Sequence, residues 1–235
     1  MSALTRWSYG LKTIVAEHPS VALPLQRLRG RGEVLAGDTE IVIESFPRCA
    51  SSFAVAAFRL AQEPHASRIA HHTHTPAQVL AAARRGIPAM VLIRAPEDAV
   101  LSHVVFTPGL APESSLRGYV RFHEPLLEHH SGFVVGTFDE VTRDFGRVIE
   151  RVNARFGTSF RLFEHRSEHL ERIDLEILTD YRSRATSQRE LDRTIPLPSE
   201  ERAAAKERLR SAYRSAPTAL RRRAERAFAA LVPRD

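Results

Sequence analysis

Cysteine is nearly missing from this chain of 235 residues, in which Cys49 is the only one. A single thiol excludes an internal disulfide, and we therefore expect a reducing, cytoplasmic compartment. Long apolar runs are missing as well, since no stretch approaches the roughly 20 residues of a membrane span. The first residues, MSALTRWSYGLKTIVAEHPS, contain neither a continuous apolar region nor an A-x-A cleavage site, so no signal peptide is predicted.

Lysine is also scarce, because only Lys12 and Lys206 accompany the arginines that carry the net charge of +6. Many of these arginines lie in the last quarter, as in ALRRRAERAF, among glutamates and alanines at helical spacing. That spacing favours solvated helix faces, although a basic face can also attract a polyanionic ligand. Zinc-finger spacing and aromatic-interleaved basic stripes are absent, so no nucleic-acid partner is expected. The richness in arginine and alanine suggests a bacterial source.

Three apolar runs predict buried strands. Each run is short, continuous and rich in β-branched residues, as parallel strands are. The runs are 41–46, 89–94 and 133–138, and residues 67–71 are a weaker candidate. Because no repeat or low-complexity linker interrupts the chain, we expect one domain over 1–235.

Helical segments separate these runs. Thr75 and Pro76 are suited to begin a helix that ends at Gly86. Residues 139–157 predict another helix, with one apolar stripe and Gly157 as its end. The alternation predicts an α/β fold with a mostly parallel central sheet flanked by helices. Beyond about residue 165 the pattern becomes helical and polar.

The loop after the first strand, PRCASSF, is suited to hold an anion. Ligands of parallel sheets bind beyond the carboxyl ends of the strands, and the following helix, near Ser51, would present free N–H groups there. Arg48 adds a charge that can bridge two anionic oxygens, and Ser51 and Ser52 add hydroxyl groups. The same residues also suit simple helix capping.

A second stretch, VLIRAPEDAVLSHVVF, carries a similar combination. Arg94 ends a strand, Pro96 suits the first turn of a helix, and Ser102 lies about two turns further on. Arg94 and Ser102 can therefore converge on one phosphate. A buried arginine paired with Glu97 or Asp98 is the alternative.

Together the two stretches resemble the sulfotransferases that use 3′-phosphoadenosine 5′-phosphosulfate (PAPS). The loop that binds the 5′-phosphosulfate in that family is similar to the run Pro47, Arg48, Cys49, Ala50, Ser51, Ser52 and Phe53. The family segment for the 3′-phosphate is matched by Arg94, Pro96, Asp98 and Ser102. The cytosolic branch has K-T-H-x-P, where this chain has His72, Thr73, His74, Thr75 and Pro76. The later aromatic, acidic and F-G elements resemble Phe138, Asp139, Glu140, Phe156 and Gly157.

The resemblance covers roughly residues 41 to 157 and includes departures. Cys49 and Ala50 replace the usual serine and glycine, and His72 replaces the lysine. The C-terminal R-K-G segment that closes over the 3′-phosphate is not recognisable, and Arg184 or Arg189 are its candidate replacements.

The resemblance implies sulfuryl transfer from PAPS to a hydroxyl or amine of a small-molecule, lipid or sugar acceptor, without a metal. His74 is then the candidate base, because imidazole can accept the acceptor's proton near neutral pH. His72 would stand in for the family lysine, and Arg48 would stabilise the sulfuryl group and the leaving phosphate. Phe138 would pack against adenine or, alternatively, belong to the core.

Other functions fit part of the pattern. A P-loop phosphotransferase shares the strand-loop-helix phosphate site, but G-x-x-x-x-G-K is absent. A non-catalytic nucleotide-binding protein is compatible with the changes at Cys49 and Ala50. His71, His72 and His74 are alternatively metal ligands or ordinary surface histidines.

Overall fold

The computed structural model describes residues 19–30, 33–197 and 199–233, without the side chains of Arg29 and Arg189. The N-terminal stretch 1–18, where no signal peptide is predicted, lies outside the described residues. The side chain of Arg189, a candidate for the 3′-phosphate, lies outside them too.

The sheet of the described region has four strands, all parallel, in the order β2-β1-β3-β4. The strands are β1 (Ile41–Ser45), β2 (Ile69–His71), β3 (Ala89–Ile93) and β4 (Val134–Thr137). Each is one or two residues shorter than the run that predicts it. The prediction of a parallel α/β sheet is confirmed. Every side chain of β1 and β3 is buried, which explains why their sequences are continuous rather than alternating.

Helices surround the sheet and make up the C-terminal part. The first group is α1 (Pro19–Arg29), α2 (Ser51–Gln62), α3 (Pro76–Arg85), α4 (Pro96–Phe106), α5 (Pro112–His123), a 3₁₀ helix (Glu124–Gly132), α6 (Phe138–Arg143) and α7 (Phe145–Phe156). The C-terminal group is α8 (Ser167–Arg184), α9 (Gln188–Thr194), α10 (Glu200–Arg214) and α11 (Thr218–Leu231). Within the described residues, no helix combines the length and apolarity needed to cross a membrane.

Local sequence signals account for the ends of α3. The Thr75 side chain accepts a hydrogen bond from the Ala77 N–H group, and Pro76 occupies the first turn. Gly86 ends the helix with φ 65°, in the left-handed region that glycine adopts without steric cost. These boundaries confirm the sequence prediction.

The single helix predicted over 139–157 is wrong, because two helices, α6 and α7, occupy that range. Asp144 separates them with φ −154° and ψ 61°. Just after the break, a more distant segment of the same chain comes so close to Gly146 that a Cβ atom there would lie 2.7 Å from the Phe163 carbonyl oxygen. The apolar positions keep their helical spacing across the break, so the sequence pattern does not reveal it. Most of the predicted apolar stripe is buried.

The C-terminal helices pack over the elements that follow the strands. Helix α8 contacts α2, α10 contacts α4, and α11 contacts α5. The polar last third of the chain therefore lies beside the two motif-bearing helices, α2 and α4.

Candidate functional site

Candidate site residues follow all four strands at the carboxyl edge of the sheet. His72, Arg94 and Phe138 come directly after β2, β3 and β4, and Arg48 lies three residues after β1. Parallel pairing brings these positions to one edge, where such sheets bind ligands.

The loop before α2 contains two residues in the left-handed region. Arg48 has φ 70° and Ala50 has φ 69°, and Ala50 is the N-cap of α2. This conformation costs an L-residue with a Cβ atom roughly 1–2 kcal/mol. Ala50 therefore keeps a backbone conformation typical of the glycine found there in the family motif. Strain of this kind is common at functional sites.

Arg48 is held by three contacts from distant parts of the chain. Its Nε donates to Ser102 Oγ at 3.3 Å, and its Nη1 donates to the Thr194 carbonyl oxygen at 3.1 Å. The guanidinium carbon lies 5.0 Å from the centroid of the Phe106 ring. Burial lowers the pKa of Arg48, and the nearby charges of Arg202 and Arg94 lower it further. The site therefore concentrates positive charge.

Arg94 lies against Arg48 and Phe138. Its Nη1 donates to the Arg48 carbonyl oxygen at 3.4 Å, and its guanidinium carbon lies 3.9 Å from the Phe138 ring centroid. Among the described residues, neither Arg48 nor Arg94 has a carboxylate within 4.0 Å. Two close guanidinium groups without acidic partners are suited to an anionic ligand.

Arg94 directly follows β3, and Ser102 lies on α4, the next helix. The hydroxyl group of Ser102 accepts its hydrogen bond from Arg48. Phe138 already stacks one face on Arg94. Shared binding of one phosphate by Arg94 and Ser102, and packing of adenine on Phe138, stay predictions.

Helix α10 adds two cations that the sequence reading missed. Burial lowers the pKa of Lys206, and the charge of Arg94 lowers it further, while Asp98 acts in the opposite direction. Arg202 is close enough to lower the pKa of Arg48. Both lie in a series of basic residues at every fourth position, Arg202, Lys206 and Arg210. The sequence pattern was interpreted as a solvated helix face. Arg210 does pair on the surface, 2.5 Å from Glu97.

The other loop residues divide between the core and the cleft. Cys49 is fully buried, and burial raises the pKa of its thiol to about 12, so the thiol is neutral and not a nucleophile. Ser51 is buried at the start of α2, and the Phe53 ring packs edge-on against Phe163. Ser52 lines the cleft and lies 3.4 Å from both His72 Nε2 and Tyr181 Oη.

The loop that carries His72 and His74 is organised by a buried acid, Glu44 of β1. Its carboxylate accepts hydrogen bonds from the N–H and hydroxyl groups of Thr73, at 2.8 and 2.7 Å. It also accepts from the N–H of His74 at 3.1 Å and from the Gln78 amide at 2.9 Å. Burial nevertheless raises the pKa of Glu44 to about 7. Sequence reasoning missed Glu44, although a single acid inside the apolar run IVIES was a usable signal.

This network fixes the imidazole of His74. Its Nδ1 lies 2.9 Å from the Ser45 carbonyl oxygen, so Nδ1 carries the proton and donates. Nε2 then keeps its lone pair, with no hydrogen-bond partner in the described region, and the residue lines the cleft. Burial lowers the pKa of His74, while the hydrogen bond to Ser45 acts in the opposite direction. The neutral ring can accept a proton through Nε2.

His72 and His74 both have positive φ, at 57° and 51°. Burial lowers the pKa of His72 to about 3 and that of His71 to about 4. His72 is therefore a neutral hydrogen-bonding group at physiological pH, and it does not reproduce the positive charge of the family lysine. Across the described residues, no three or more potential ligands are grouped to hold a metal ion.

A cleft of about 1290 Å³ opens beside these residues. Its lining includes Ser52, His72, His74, Phe106, Ile177 and Tyr181. Helices α8 and α9 form one wall, and α2 and the loop that carries His72 and His74 form the other. Arg48 and Arg94 are not lining residues, but Arg48 contacts Phe106 and Thr194, which are. The cleft combines polar groups with an apolar surface, as small-molecule sites do.

Comparison with known proteins gives limited similarity. No family model matches the chain, and no curated protein matches it. A solved structure titled as mouse sulfotransferase SULT7A1 complexed with PAP overlaps 82% of this chain and 89% of its own. The identity is 12% and the TM-score is 0.43. The function is therefore inferred from the four sequence motifs and the geometry of the site.

Proposed function

We propose that this protein transfers a sulfuryl group from PAPS to a hydroxyl or amine of a small acceptor. The observation that carries the proposal is the pair of guanidinium groups, Arg48 and Arg94, at the carboxyl edge of the sheet, with no carboxylate partner in the described part of the chain. His74, a neutral histidine whose Nε2 has no hydrogen-bond partner among the residues described, lines the cleft beside the same loop. Anion binding and proton acceptance are thus available in one place.

The loop residues fit the 5′-phosphosulfate end of PAPS. The left-handed backbone of Arg48 and Ala50 precedes the first turn of α2, where backbone N–H groups have no intrahelical acceptors. Arg48 supplies a delocalised positive charge, and Ser52 supplies a hydroxyl group at the cleft. Ser51, Cys49 and Phe53 hold this turn in the core rather than contribute charge.

The 3′-phosphate end fits the residues after β3. Arg94 and Ser102 match the family motif, and Lys206 of α10 lies close enough to Arg94 for their charges to interact. The 3′-phosphate distinguishes PAPS from nucleotides that lack one, and additional cations stabilise its charge. Helix α10 thereby replaces the unrecognised C-terminal segment of the family.

PAPS supplies an activated sulfuryl group, in which the bond between sulfur and the phosphate oxygen breaks. The acceptor oxygen or nitrogen forms the new bond to sulfur and loses its proton to His74 Nε2. Arg48 stabilises the negative charge that develops on the sulfuryl and departing phosphate oxygens. PAP and the sulfated acceptor are the products, and atoms and charges balance.

The experiment is a transfer assay with labelled PAPS and a panel of sugars, lipids and phenols, paired with calorimetry on PAP. Labelled sulfate on any acceptor supports the enzyme, and transfer should fall about 100-fold in Arg48→Ala. Tight PAP binding without transfer to any acceptor would favour a non-catalytic binding protein. Absence of PAP binding would overturn both.

A further inference from the structure

Four side chains form a continuous series of hydrogen bonds from the surface to Ser52, in the first turn of α2. Arg59 Nη2 lies 3.0 Å from His71 Nε2, and His71 Nδ1 lies 2.6 Å from His72 Nδ1. His72 Nε2 lies 3.4 Å from Ser52 Oγ. Arg59 is exposed on the last turn of α2, whereas the two histidines are partly buried.

The direction of this series follows from the arginine. A guanidinium group has donors only, so His71 Nε2 must accept. Neutral His71 then carries its proton on Nδ1 and donates it to His72 Nδ1. His72 in turn carries its proton on Nε2 and donates to Ser52 Oγ. Reversing any link would place two donors against each other.

The order of donors determines what Ser52 can do. Its hydroxyl oxygen accepts from His72, and the single hydroxyl proton is left for another acceptor. Tyr181 Oη, at 3.4 Å, and an anionic oxygen in the cleft are the available acceptors. The fixed direction of these hydrogen bonds therefore leaves the Ser52 hydroxyl proton free to be donated to a phosphate oxygen.

The surroundings keep both histidines uncharged. Arg59, Arg184 and His74 act on them from α2, α8 and the histidine loop, and each of these neighbours opposes protonation. Among the described residues, no acid is one of the groups that shift the pKa of either histidine, although Glu33 and Asp180 also line the cleft. The series of hydrogen bonds therefore depends on which ring nitrogen of each neutral histidine carries the proton, and not on a charge on either ring.

We propose that Arg59 and His71 are positioning residues that fix the tautomer of His72, so that Ser52 donates its proton to the donor phosphate. The proposal rests on the proposed function for the identity of that phosphate. The tautomers themselves do not depend on it. Neither Arg59 nor His71 touches the reacting atoms.

The tautomers can be read directly by two-bond ¹H–¹⁵N correlation spectra of the full-length protein labelled at histidine nitrogen. Signals are assigned with His71→Asn and His72→Asn. We expect protonated Nδ1 on His71 and protonated Nε2 on His72. In Arg59→Met, His72 should populate both tautomers, and Arg59→Lys, which still donates to His71, should restore one. Arg117→Met, which removes an arginine paired with Glu113 on α5, should leave both histidines unchanged.

The consequence for Ser52 is read from PAP affinity by calorimetry. Arg59→Met should weaken PAP binding by the reciprocal of the fraction of His72 that keeps its proton on Nε2, about twofold for equal populations, and Arg59→Lys should recover most of it. Protonated Nδ1 on wild-type His72, or identical tautomers in wild type and Arg59→Met, would overturn the proposal. So would a tautomer change that leaves PAP affinity unaltered. If the wild type shows the expected tautomers but does not bind PAP, the proposed function fails and the tautomer assignment stands.

Discussion

The Nε atom of Arg48 and the Oγ atom of Ser102 lie 3.3 Å apart, although 54 residues separate them in the chain. Arg48 belongs to the loop after β1, and Ser102 belongs to α4, after β3. The adjacent positions of β1 and β3 in the sheet bring these segments together. The two predicted phosphate motifs are therefore one connected surface, and a change at either end should affect the other.

Arg48→Ala should reduce turnover more than binding. The Arg48 charge is most useful when negative charge develops on the departing group, so we expect kcat to fall about 100-fold. PAP affinity should fall much less. Single-turnover transfer and calorimetry measure the two effects.

Ser102→Ala is the matched test of the link between the motifs. It removes a hydrogen bond to Arg48 without removing either guanidinium group, so it should lower kcat and PAP affinity together by a smaller factor. Normal kcat in Arg48→Ala would show that Arg48 does not stabilise the sulfuryl group or the departing phosphate.

Arg94→Ala should weaken binding of PAP far more than binding of ADP. The lost charge-assisted contact is worth about 1.5–3 kcal/mol, and ADP lacks the 3′-phosphate that Arg94 would contact. Calorimetry with both ligands gives the comparison. Arg117→Ala on the surface of α5 is the control, and equal PAP affinities of wild type and Arg94→Ala would exclude the assignment.

Much of the fold follows from local sequence features. Continuous apolar runs predict three of the four strands, and β2 matches the weaker candidate at 67–71. Thr75, Pro76 and Gly86 predict the ends of α3, because burial, capping and left-handed backbone are local requirements. The break at Asp144 was missed because the apolar periodicity continues across it, so the sequence pattern does not reveal the change of backbone conformation there.

The candidate site is less local than the fold. Motif spacing predicts that Arg48, Arg94 and His74 share one edge of the sheet. Glu44 and Lys206 were missed for different reasons. The hydrogen bonds of Glu44 come from a loop about 30 residues away, and the position of Lys206 depends on packing between α10 and α4. The four-residue spacing of the basic residues of α10 is the same for a solvated face and for a face that packs beside the site, so the sequence alone does not separate the two.

His74→Ala should abolish sulfuryl transfer and leave PAP affinity within about twofold, because the side chain addresses the acceptor rather than the donor. In the wild type, a base must be deprotonated, so activity should fall as the pH falls through the pKa of His74. Burial lowers that pKa, so the acid limb of kcat should lie below the usual histidine value near 6.5.

The control for His74 is His130→Ala, on the exposed surface of the 3₁₀ helix, which should retain full activity. Full transfer by His74→Ala would return the role of base to another residue. An acid limb above pH 6.5 would contradict a buried neutral imidazole.

Ala50→Gly should leave stability nearly unchanged. Ala50 has φ 69°, so glycine relieves about 1 kcal/mol of backbone strain. The greater freedom of glycine in the unfolded chain offsets about 0.5–1 kcal/mol of that gain. Ala204→Gly, on the exposed face of α10, has no strain to relieve and should cost about 1 kcal/mol. Urea unfolding compares the two variants, and equal destabilisation would mean that Ala50 is not strained.

Glu44 should make stability depend on pH. Its pKa is raised from 4.5 to about 7 in the folded protein, because burial disfavours the charged carboxylate. A raised folded pKa contributes stability that is fully present below 4.5 and is lost as the pH rises towards 7. The change amounts to at most about 3 kcal/mol. Histidines such as His123, whose pKa is lowered to about 4, have the opposite effect, since they lose stability as the pH falls below 6.5.

Comparison with Glu44→Gln separates the two effects, because the variant keeps the histidines and lacks the titrating carboxylate. The free energy of unfolding of the wild type minus that of the variant should decrease between pH 4.5 and 7 and stay constant at higher pH. Thr73→Val removes a hydroxyl donor that lowers the pKa of Glu44, so it should extend the decrease above pH 7. A difference between wild type and Glu44→Gln that grows with pH would mean that the surrounding donors, rather than burial, dominate the carboxylate and hold it ionised beneath the histidine loop.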